Sequence, residues 1–153
     1  MDKTNAMRIL DGLKAVYEVI EYDESVTDGV SVAALTGQPA DGVFKTLVTQ
    51  SAKGENIVFV IPVNKSLDMK KAAAAAGAKR VEMLDRNKLK DITGYVHGGC
   101  SPVGMKKRFR TFIDESARGR TVTLSGGKRG VQIKTDVNNI VSAVCATFAE
   151  LTS

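Results

Sequence analysis

The spacing of hydrophobic residues changes along the chain, and each spacing predicts a particular element. Near the start, four apolar residues recur at helical spacing after Thr4, which predicts an amphipathic helix over residues 5–14 with Thr4 as its N-cap. The β-branched and aromatic residues of 16–22 predict a strand. A short Ala- and Leu-rich helix is then expected, with Ser31 as its N-cap and Gly37 at its end.

Two apolar runs in the middle of the chain, 43–49 and 57–61, flank a polar segment and predict a β-hairpin. A helix is predicted over residues 66–76, where five consecutive alanines imply close packing against a neighbouring element. The pattern continues with a short strand over 81–83 and a short helix from Asp85.

The last third of the chain begins with a segment, 93–104, that contains too much Gly and Pro for regular structure and is expected to form an ordered loop. Three more strands are predicted over 106–112, 121–124 and 131–134. The remaining residues predict a helix capped by Thr135. Its buried stripe should consist of Ile140, Val141, Val144, Phe148 and Leu151.

The order of these elements indicates the fold class. Strands neither alternate regularly with helices nor separate from them, which favours an α+β fold, with a curved, mostly antiparallel sheet and flanking helices, over a doubly wound parallel sheet. With 153 residues, 43% hydrophobic and 25% charged, we expect one mixed domain over residues 1–153. No apolar run approaches the roughly 20 residues of a membrane span, so no membrane association and a cytoplasmic location are expected.

Charge is distributed unevenly along the chain. Residues 1–76 carry 8 Lys and Arg against 10 Asp and Glu, whereas residues 77–153 carry 14 against 7. Between 105 and 134 there are nine basic residues and two acidic ones, which predicts a polyanionic partner such as a nucleic-acid backbone. A solvated basic face is the alternative. Aromatic residues are only 5%, which gives little support to a stacking platform for single strands.

Candidate chemistry begins with a lysine inside an apolar strand. Lys45 must point to water, to a sheet edge or into a polar site, and an edge-protecting lysine is the simplest interpretation. Two glycine-rich segments, 98–102 and 125–127, could form anion or oxyanion cradles from consecutive backbone N–H groups, or could simply be tight turns. Neither segment matches a P-loop or a dinucleotide-binding fingerprint.

The cysteines and the single histidine restrict the remaining chemistry. Two cysteines and one histidine cannot form a CxxC pair or an HExxH motif, so we expect neither a metal nor a cofactor. Cys100 follows His97 by three residues, which permits a thiol nucleophile, but a small buried cysteine is the commoner reason for such a residue. We interpret Cys100 as part of the loop lining. Ser101 lacks the GxSxG context of a serine nucleophile.

Four segments in order resemble the YbaK/EbsC family of aminoacyl-tRNA editing proteins, which is related to the insertion domain of bacterial prolyl-tRNA synthetases. The resemblance extends over nearly the whole chain. The segments are VFKTL at 43–47, PVNKSLDMKK at 62–71, TGYV with GGCSP between 93 and 102, and SGGKRG at 125–130.

The resemblance implies hydrolysis of the ester between a wrong amino acid and its tRNA, typically cysteine on proline tRNA, and a possible transient complex with prolyl-tRNA synthetase. It identifies Lys45 with the family's essential lysine. It also implies that the substrate's own thiol attacks its carbonyl, with no protein nucleophile. The implied substrate pocket comprises Tyr22, Thr46, Gly98, Gly99, Cys100, Ser101, Ser125 and Gln132. The basic residues expected to contact tRNA phosphates are Lys106, Lys107, Arg108, Lys128 and Arg129.

Three alternatives remain open at this stage. A deacylase for alanine or another small residue on proline tRNA would use a positioned water in place of the substrate thiol. A non-catalytic RNA-binding module would keep the basic face but would not need an ammonium at Lys45. A hydrolase with Cys100 as its nucleophile would lose all activity in the Cys100→Ser variant.

Overall fold

Two β-sheets that share one hydrophobic core form the frame of the molecule. The computed structural model describes residues 2–153. The smaller sheet has the strand order β1-β7-β6, with both pairs antiparallel. Its strands are β1 (Tyr17–Glu21), β6 (Thr121–Lys128) and β7 (Val131–Asp136).

The larger sheet has the strand order β4-β2-β3-β5-β8. It is antiparallel on both sides of β2 and parallel where β5 joins β3 and β8. The α+β class with mostly antiparallel pairing is therefore confirmed. The strands are β2 (Phe44–Ser51), β3 (Asn56–Pro62), β4 (Val81–Met83), β5 (Arg110–Asp114) and β8 (Thr147–Ala149).

In the described part of the chain, residues 2–153, five α-helices cover the sheets and connect the strands. They are α1 (Asn5–Gly12), α2 (Gly29–Leu35), α3 (Met69–Ala76), α4 (Leu89–Thr93) and α5 (Val137–Val144). Short 3-10 turns occupy Ala40–Gly42, Arg86–Lys88 and Glu115–Ala117. Among residues 2–153, no helix has the length and apolarity needed to cross a bilayer.

Strand β3 divides the core because successive side chains of a strand point to opposite faces. Val58 and Val60 join the cluster that lies between the two sheets, together with α1 and α5. Phe59 and its neighbours on the other face pack against the buried alanines of α3. The small alanine side chains let α3 approach the sheet closely, as its composition predicted. Gly77 ends this helix in the left-handed conformation that glycine adopts most easily.

The N-caps of two helices and the first residue of a third differ from the predictions. Thr4 caps α1 as expected, but Asp28 caps α2 in place of Ser31, and Asp136 caps α5 in place of Thr135. Asp68 caps α3, so this helix begins at Met69 and not at residue 66. In each case the aspartate carboxylate accepts a backbone N–H of the first helical turn, which an ionised acceptor does well.

Three predicted elements are also corrected. A single curved sheet was expected, but the strands within residues 2–153 form two sheets, which an isolated parallel bridge between Val43 and Thr123 connects. Residues 106–109 are not strand, and β5 begins at Arg110. The last helix ends at Val144 because Cys145 adopts a left-handed backbone with φ 56°. Phe148, which happens to lie at helical spacing, belongs instead to β8 opposite Ile113.

Candidate active site

A cavity of about 300 Å³ opens where β2, the start of α2, the loop around His97 and the β6–β7 pair meet. Its position follows from the sheet. Strand β4 pairs with β2 only from Thr49 to Ser51, so the edge of β2 near Lys45 is left open. Its walls contain polar groups from several elements together with apolar side chains such as Phe44 and Val32.

The cavity brings together most of the residues that the sequence analysis singled out. Gly99 and Ser101 lie behind the wall: a Cβ on Gly99 would come within 2.8 Å of the Arg129 backbone nitrogen, and the Ser101 hydroxyl accepts the Val103 N–H at 3.1 Å. The predicted residues that line the cavity are Tyr22, Lys45, Thr46, Gly98, Cys100, Ser125 and Gln132.

The two glycine-rich segments contact each other beside this cavity. Gly98 has φ +86°, which lets the loop turn back towards the β6–β7 connection. The absence of a side chain at Gly99 permits direct backbone packing against Lys128 and Arg129. The Arg129 Nε then donates a hydrogen bond to the His97 carbonyl at 2.8 Å. The loop and the hairpin therefore form one continuous wall.

Lys45 is half-buried in this cavity, on β2 opposite Ile61 of β3. The ion pairs formed within residues 2–153 leave it free, since they join Lys3 to Asp11, Glu55 to Arg110 and Glu115 to Arg118. Beside it on β2, the hydroxyl oxygen of Thr46 is buried and has no hydrogen-bond partner within the same residues. Because that oxygen is buried, what the open edge of β2 offers the cavity is the positive charge of Lys45 and not the Thr46 hydroxyl.

Asp28 is a cavity residue that the sequence analysis did not select. Its Oδ2 accepts both the hydroxyl and the backbone N–H of Ser31, at 2.8 and 3.0 Å. These hydrogen bonds, with a smaller contribution from the positive charge of Lys45, lower the pKa of the Asp28 carboxyl. Assigning the cap to Ser31 hid Asp28, and the Asp-x-x-Ser spacing is the signal that could have found it.

The two candidate nucleophile partners do not form an activated pair. Burial raises the pKa of the Cys100 thiol to about 12, which keeps it protonated at neutral pH. Burial and the nearby charges of Arg86 and Arg129 lower the pKa of His97, so its imidazole is neutral at pH 7. Among residues 2–153, no group of three or more His, Cys, Asp or Glu side chains is arranged to hold a metal.

The basic residues fall into two groups around the cavity. Lys128 and Arg129 line a shallow cleft that shares Tyr22 with the cavity. Lys106, Lys107 and Arg108 line a separate cleft of about 170 Å³ between the 102–109 segment, α1 and α5.

Three other basic residues of the 105–134 region are engaged in internal contacts. Arg110 forms a two-pronged ion pair with Glu55 at 2.8 and 2.9 Å. Arg118 stacks over Phe148 with its guanidinium carbon 4.4 Å from the ring centre. Arg120 donates to the Asp41 carbonyl at 3.3 Å. Not all nine positive charges are therefore available to an external polyanion.

Comparisons with known proteins show which family the chain resembles in sequence. Residues 23–142 match the aminoacyl-tRNA editing domain family. The chain is 44% identical, over 99% of its length and 94% of the relative, to EbsC of Enterococcus faecalis, which is named as a Cys-tRNA(Pro)/Cys-tRNA(Cys) deacylase. It is 28% identical over 61% of its length to 17% of a proline–tRNA ligase of Brachyspira hyodysenteriae.

Solved structures show the same fold. One crystal structure, described as a trans-editing enzyme for prolyl tRNA synthetase, superposes with a TM-score of 0.84 at 22% identity and covers 100% of this chain and 99% of its own. Another, of the protein APE2540, has a TM-score of 0.89 at 22% identity and covers 98% of this chain and 100% of its own.

Proposed function

The chain belongs to the aminoacyl-tRNA editing domain family, and on that premise we propose that it removes cysteine from mischarged proline tRNA. Membership makes it a trans-editing aminoacyl-tRNA deacylase that acts on mischarged tRNA. The relative from Enterococcus faecalis is named for Cys-tRNA(Pro) and Cys-tRNA(Cys), which supports cysteine as the amino acid. We propose further that residues 1–153 act as one editing domain, in the cytoplasm.

The observation that carries the proposed chemistry is the position of the half-buried residue Lys45 in the lining of a cavity of about 300 Å³. An aminoacyl ester develops negative charge on its carbonyl oxygen when the carbonyl carbon is attacked. A fixed positive charge in a partly desolvated site stabilises that charge more than water does. Lys45 is available for this role because the ion pairs among residues 2–153 do not involve it.

The nucleophile in this proposal comes from the substrate. The cysteinyl sulfur attacks its own carbonyl carbon, a C–S bond forms, and the C–O bond to the tRNA breaks. The thiol proton passes to the departing ribose oxygen, and water then hydrolyses the thioester. The protein's contribution is positioning and electrostatic stabilisation. The raised pKa of Cys100, about 12, is consistent with a site that supplies no thiolate of its own.

The aminoacyl group has a positive α-ammonium and an ester carbonyl oxygen that becomes negative during attack, so the two groups need partners of opposite charge. Asp28 is the carboxylate of the cavity lining, and its lowered pKa keeps it ionised, so we assign it to the α-ammonium of the amino acid. Tyr22, Thr46, Gly98 and Ser125 would line the aminoacyl and ribose groups, with Gly99 and Ser101 supporting the loop from behind.

The basic residues would contact the tRNA backbone. Lys128 and Arg129 border the cleft next to Tyr22, so we assign them to phosphates close to the acceptor end. Lys106, Lys107 and Arg108 lie in the second cleft and would contact phosphates further along the tRNA. Phosphate contacts carry no information about the amino acid or the tRNA sequence. Selection of proline tRNA would therefore need a further contribution, for which a transient complex with prolyl-tRNA synthetase is our proposal.

A panel of charged tRNAs tests the proposal directly. Purified protein is incubated with labelled Cys-tRNA(Pro), Ala-tRNA(Pro), Pro-tRNA(Pro) and Cys-tRNA(Cys), and the loss of label is followed with Lys45→Ala as a matched blank. We expect Cys-tRNA(Pro) to be hydrolysed fastest and Pro-tRNA(Pro) to be spared. Faster release of alanine would overturn the assignment of cysteine, and tRNA binding without release of any amino acid would indicate a non-catalytic RNA-binding module.

A further inference from the structure

A chain of hydrogen bonds behind the cavity wall ends at the side-chain amide of Gln132. The Thr123 hydroxyl donates to Gln38 Oε1 at 2.7 Å. Gln38 Nε2 donates both to Thr36 Oγ1, at 2.7 Å, and to Gln132 Oε1, at 3.2 Å. The last contact joins residues 94 positions apart in the sequence, on the α2–β2 connection and on β7.

The direction of this chain is determined by the Thr36 hydroxyl. That hydroxyl has one hydrogen, which it donates to the carbonyl of Val32 at 2.8 Å. Its oxygen must therefore accept from Gln38, which identifies the Gln38 atom beside it as the amide nitrogen. The second hydrogen of that nitrogen is directed at Gln132, so the atom that Gln132 presents to Gln38 is its oxygen.

The consequence is that Gln132 turns its amide nitrogen away from Gln38. Gln132 is only 6% exposed and lines the cavity. Within residues 2–153, its Nε2 donates to no acceptor. Among residues 2–153, the buried side-chain polar atoms without a partner are limited to Thr46 Oγ1, so the unpartnered amide nitrogen of Gln132 is reached from the cavity and can donate to a molecule bound there.

A second donor lies beside it. Ser125 is directly opposite Gln132 on the paired strand β6. The Ser125 oxygen already accepts the Gly127 N–H at 3.1 Å, which leaves its hydrogen for a donation into the cavity. This wall therefore presents hydrogen-bond donors, while the carboxylate of Asp28 belongs to a different part of the lining.

We propose that Gln38 is a positioning residue that holds Gln132 as a hydrogen-bond donor to an oxygen of the bound aminoacyl ester. The inference rests on the proposed function, since it assumes that the cavity holds such an ester. Gln132 would bind a carbonyl or ribose oxygen and could not bind the α-ammonium, which has no acceptor to offer. The orientation of the ester then follows: its ammonium faces Asp28 and its oxygens face the Gln132 wall.

The variant Gln38→Glu tests the orientation with almost no change in shape. A carboxylate only accepts hydrogen bonds, so Gln132 must rotate its amide and donate to Glu, which turns its oxygen towards the substrate. We expect deacylation of Cys-tRNA(Pro) to fall about 10- to 100-fold at neutral pH. Activity should recover as the pH approaches the ordinary glutamate pKa of about 4.3, because a neutral carboxyl again has a hydrogen to donate.

The control variants separate this effect from a general loss of structure. Gln38→Met removes the polar link and should lower activity without recovery at low pH. Gln50→Met makes the same change on β2 outside the cavity and should leave activity unchanged. The ratio of variant to parent rate at each pH cancels the titration of the groups that both proteins share. The titratable groups lining the cavity are Tyr22, Asp28, Lys45, His97 and Cys100.

The outcomes separate a failure of the proposed deacylase function from a failure of the inference about Gln38 and Gln132. A parent protein that releases no amino acid from any mischarged tRNA refutes the proposed function. An active parent with an equally active Gln38→Glu variant overturns the inference alone. If that variant melts early, Gln132→Glu provides the second test, because Gln38 can still donate to the new carboxylate. Low-pH recovery is expected there too, and its absence in a folded variant overturns the donor role of Gln132.

Discussion

Replacing Lys45 by alanine removes the positive charge from the cavity and should nearly abolish deacylation while leaving the fold intact. The structure supports both halves of this expectation. Lys45 lies on the open edge of β2, and the hydrogen bonds and ion pairs within residues 2–153 do not use its ammonium. The variant therefore breaks no native polar contact.

The expected loss can be worked from the position of the charge. An ammonium about 4 Å from a developing oxyanion contributes about 4 kcal/mol at the effective dielectric constant of about 20 that applies near a protein surface. Removal of one preorganised oxyanion donor in an enzyme typically costs about 2.7–4 kcal/mol. Both values correspond to a rate reduction of about 100- to 1000-fold. The melting temperature should change by no more than a surface substitution does.

Single-turnover deacylation of labelled Cys-tRNA(Pro) measures this loss without interference from product release. Lys53→Ala is the matched control, because Lys53 is an exposed lysine in the turn between β2 and β3. Lys45→Arg keeps the charge with a larger head group and should retain part of the activity. A folded Lys45→Ala variant with near-parental single-turnover rates would refute the electrostatic role that we assign to Lys45.

Three further results are expected. Cys100→Ala should keep most of its activity and trap no acyl adduct. Burial raises the pKa of the Cys100 thiol to about 12, so above pH 9.0 only the unfolded thiol ionises and the native protein should lose stability as pH rises; the variant should lose less. Asp28→Asn should keep the helix cap and the melting temperature but raise KM, whereas Asp28→Ala should lose about 1 kcal/mol of stability as well. Affinity for tRNA should fall with salt with a log–log slope of about −4, and Lys128→Glu should weaken charged and uncharged tRNA alike; a flat salt dependence, a covalent adduct on Cys100 or an unchanged KM in Asp28→Asn would contradict the respective expectation.

Local features of the chain could be predicted where neighbouring residues decide them. The N-cap at Thr4, the left-handed glycine at Gly77 and the hairpin of β2 and β3 all depend on residues close in sequence. The same reasoning selected Lys45 as a charge within an apolar strand. It failed at the cap of α2, where Ser31 and Asp28 both suit the role and only the backbone geometry decides between them.

The arrangement of the strands was decided by contacts between distant parts of the chain. Phe148 fits a helical stripe in the sequence, but β8 pairs in parallel with β5 because the chain turns at Cys145 and places Phe148 beside Ile113. The connection between the two sheets likewise depends on a long-range contact. Val43, the residue before β2, pairs with Thr123 of β6, 80 positions later in the chain.

The cavity depends both on residue types that the sequence determines and on positions that the tertiary structure decides. By itself, the sequence determined the types of chemistry available: an ammonium in a strand, two glycine-rich segments and a thiol three residues after the single histidine. Only the tertiary structure decided that Asp28 joins Lys45 in one cavity, and that Gln38 orients the amide of Gln132 from 94 residues away. The physical reason is that side-chain direction and hydrogen-bond polarity depend on long-range register, which local propensities do not specify.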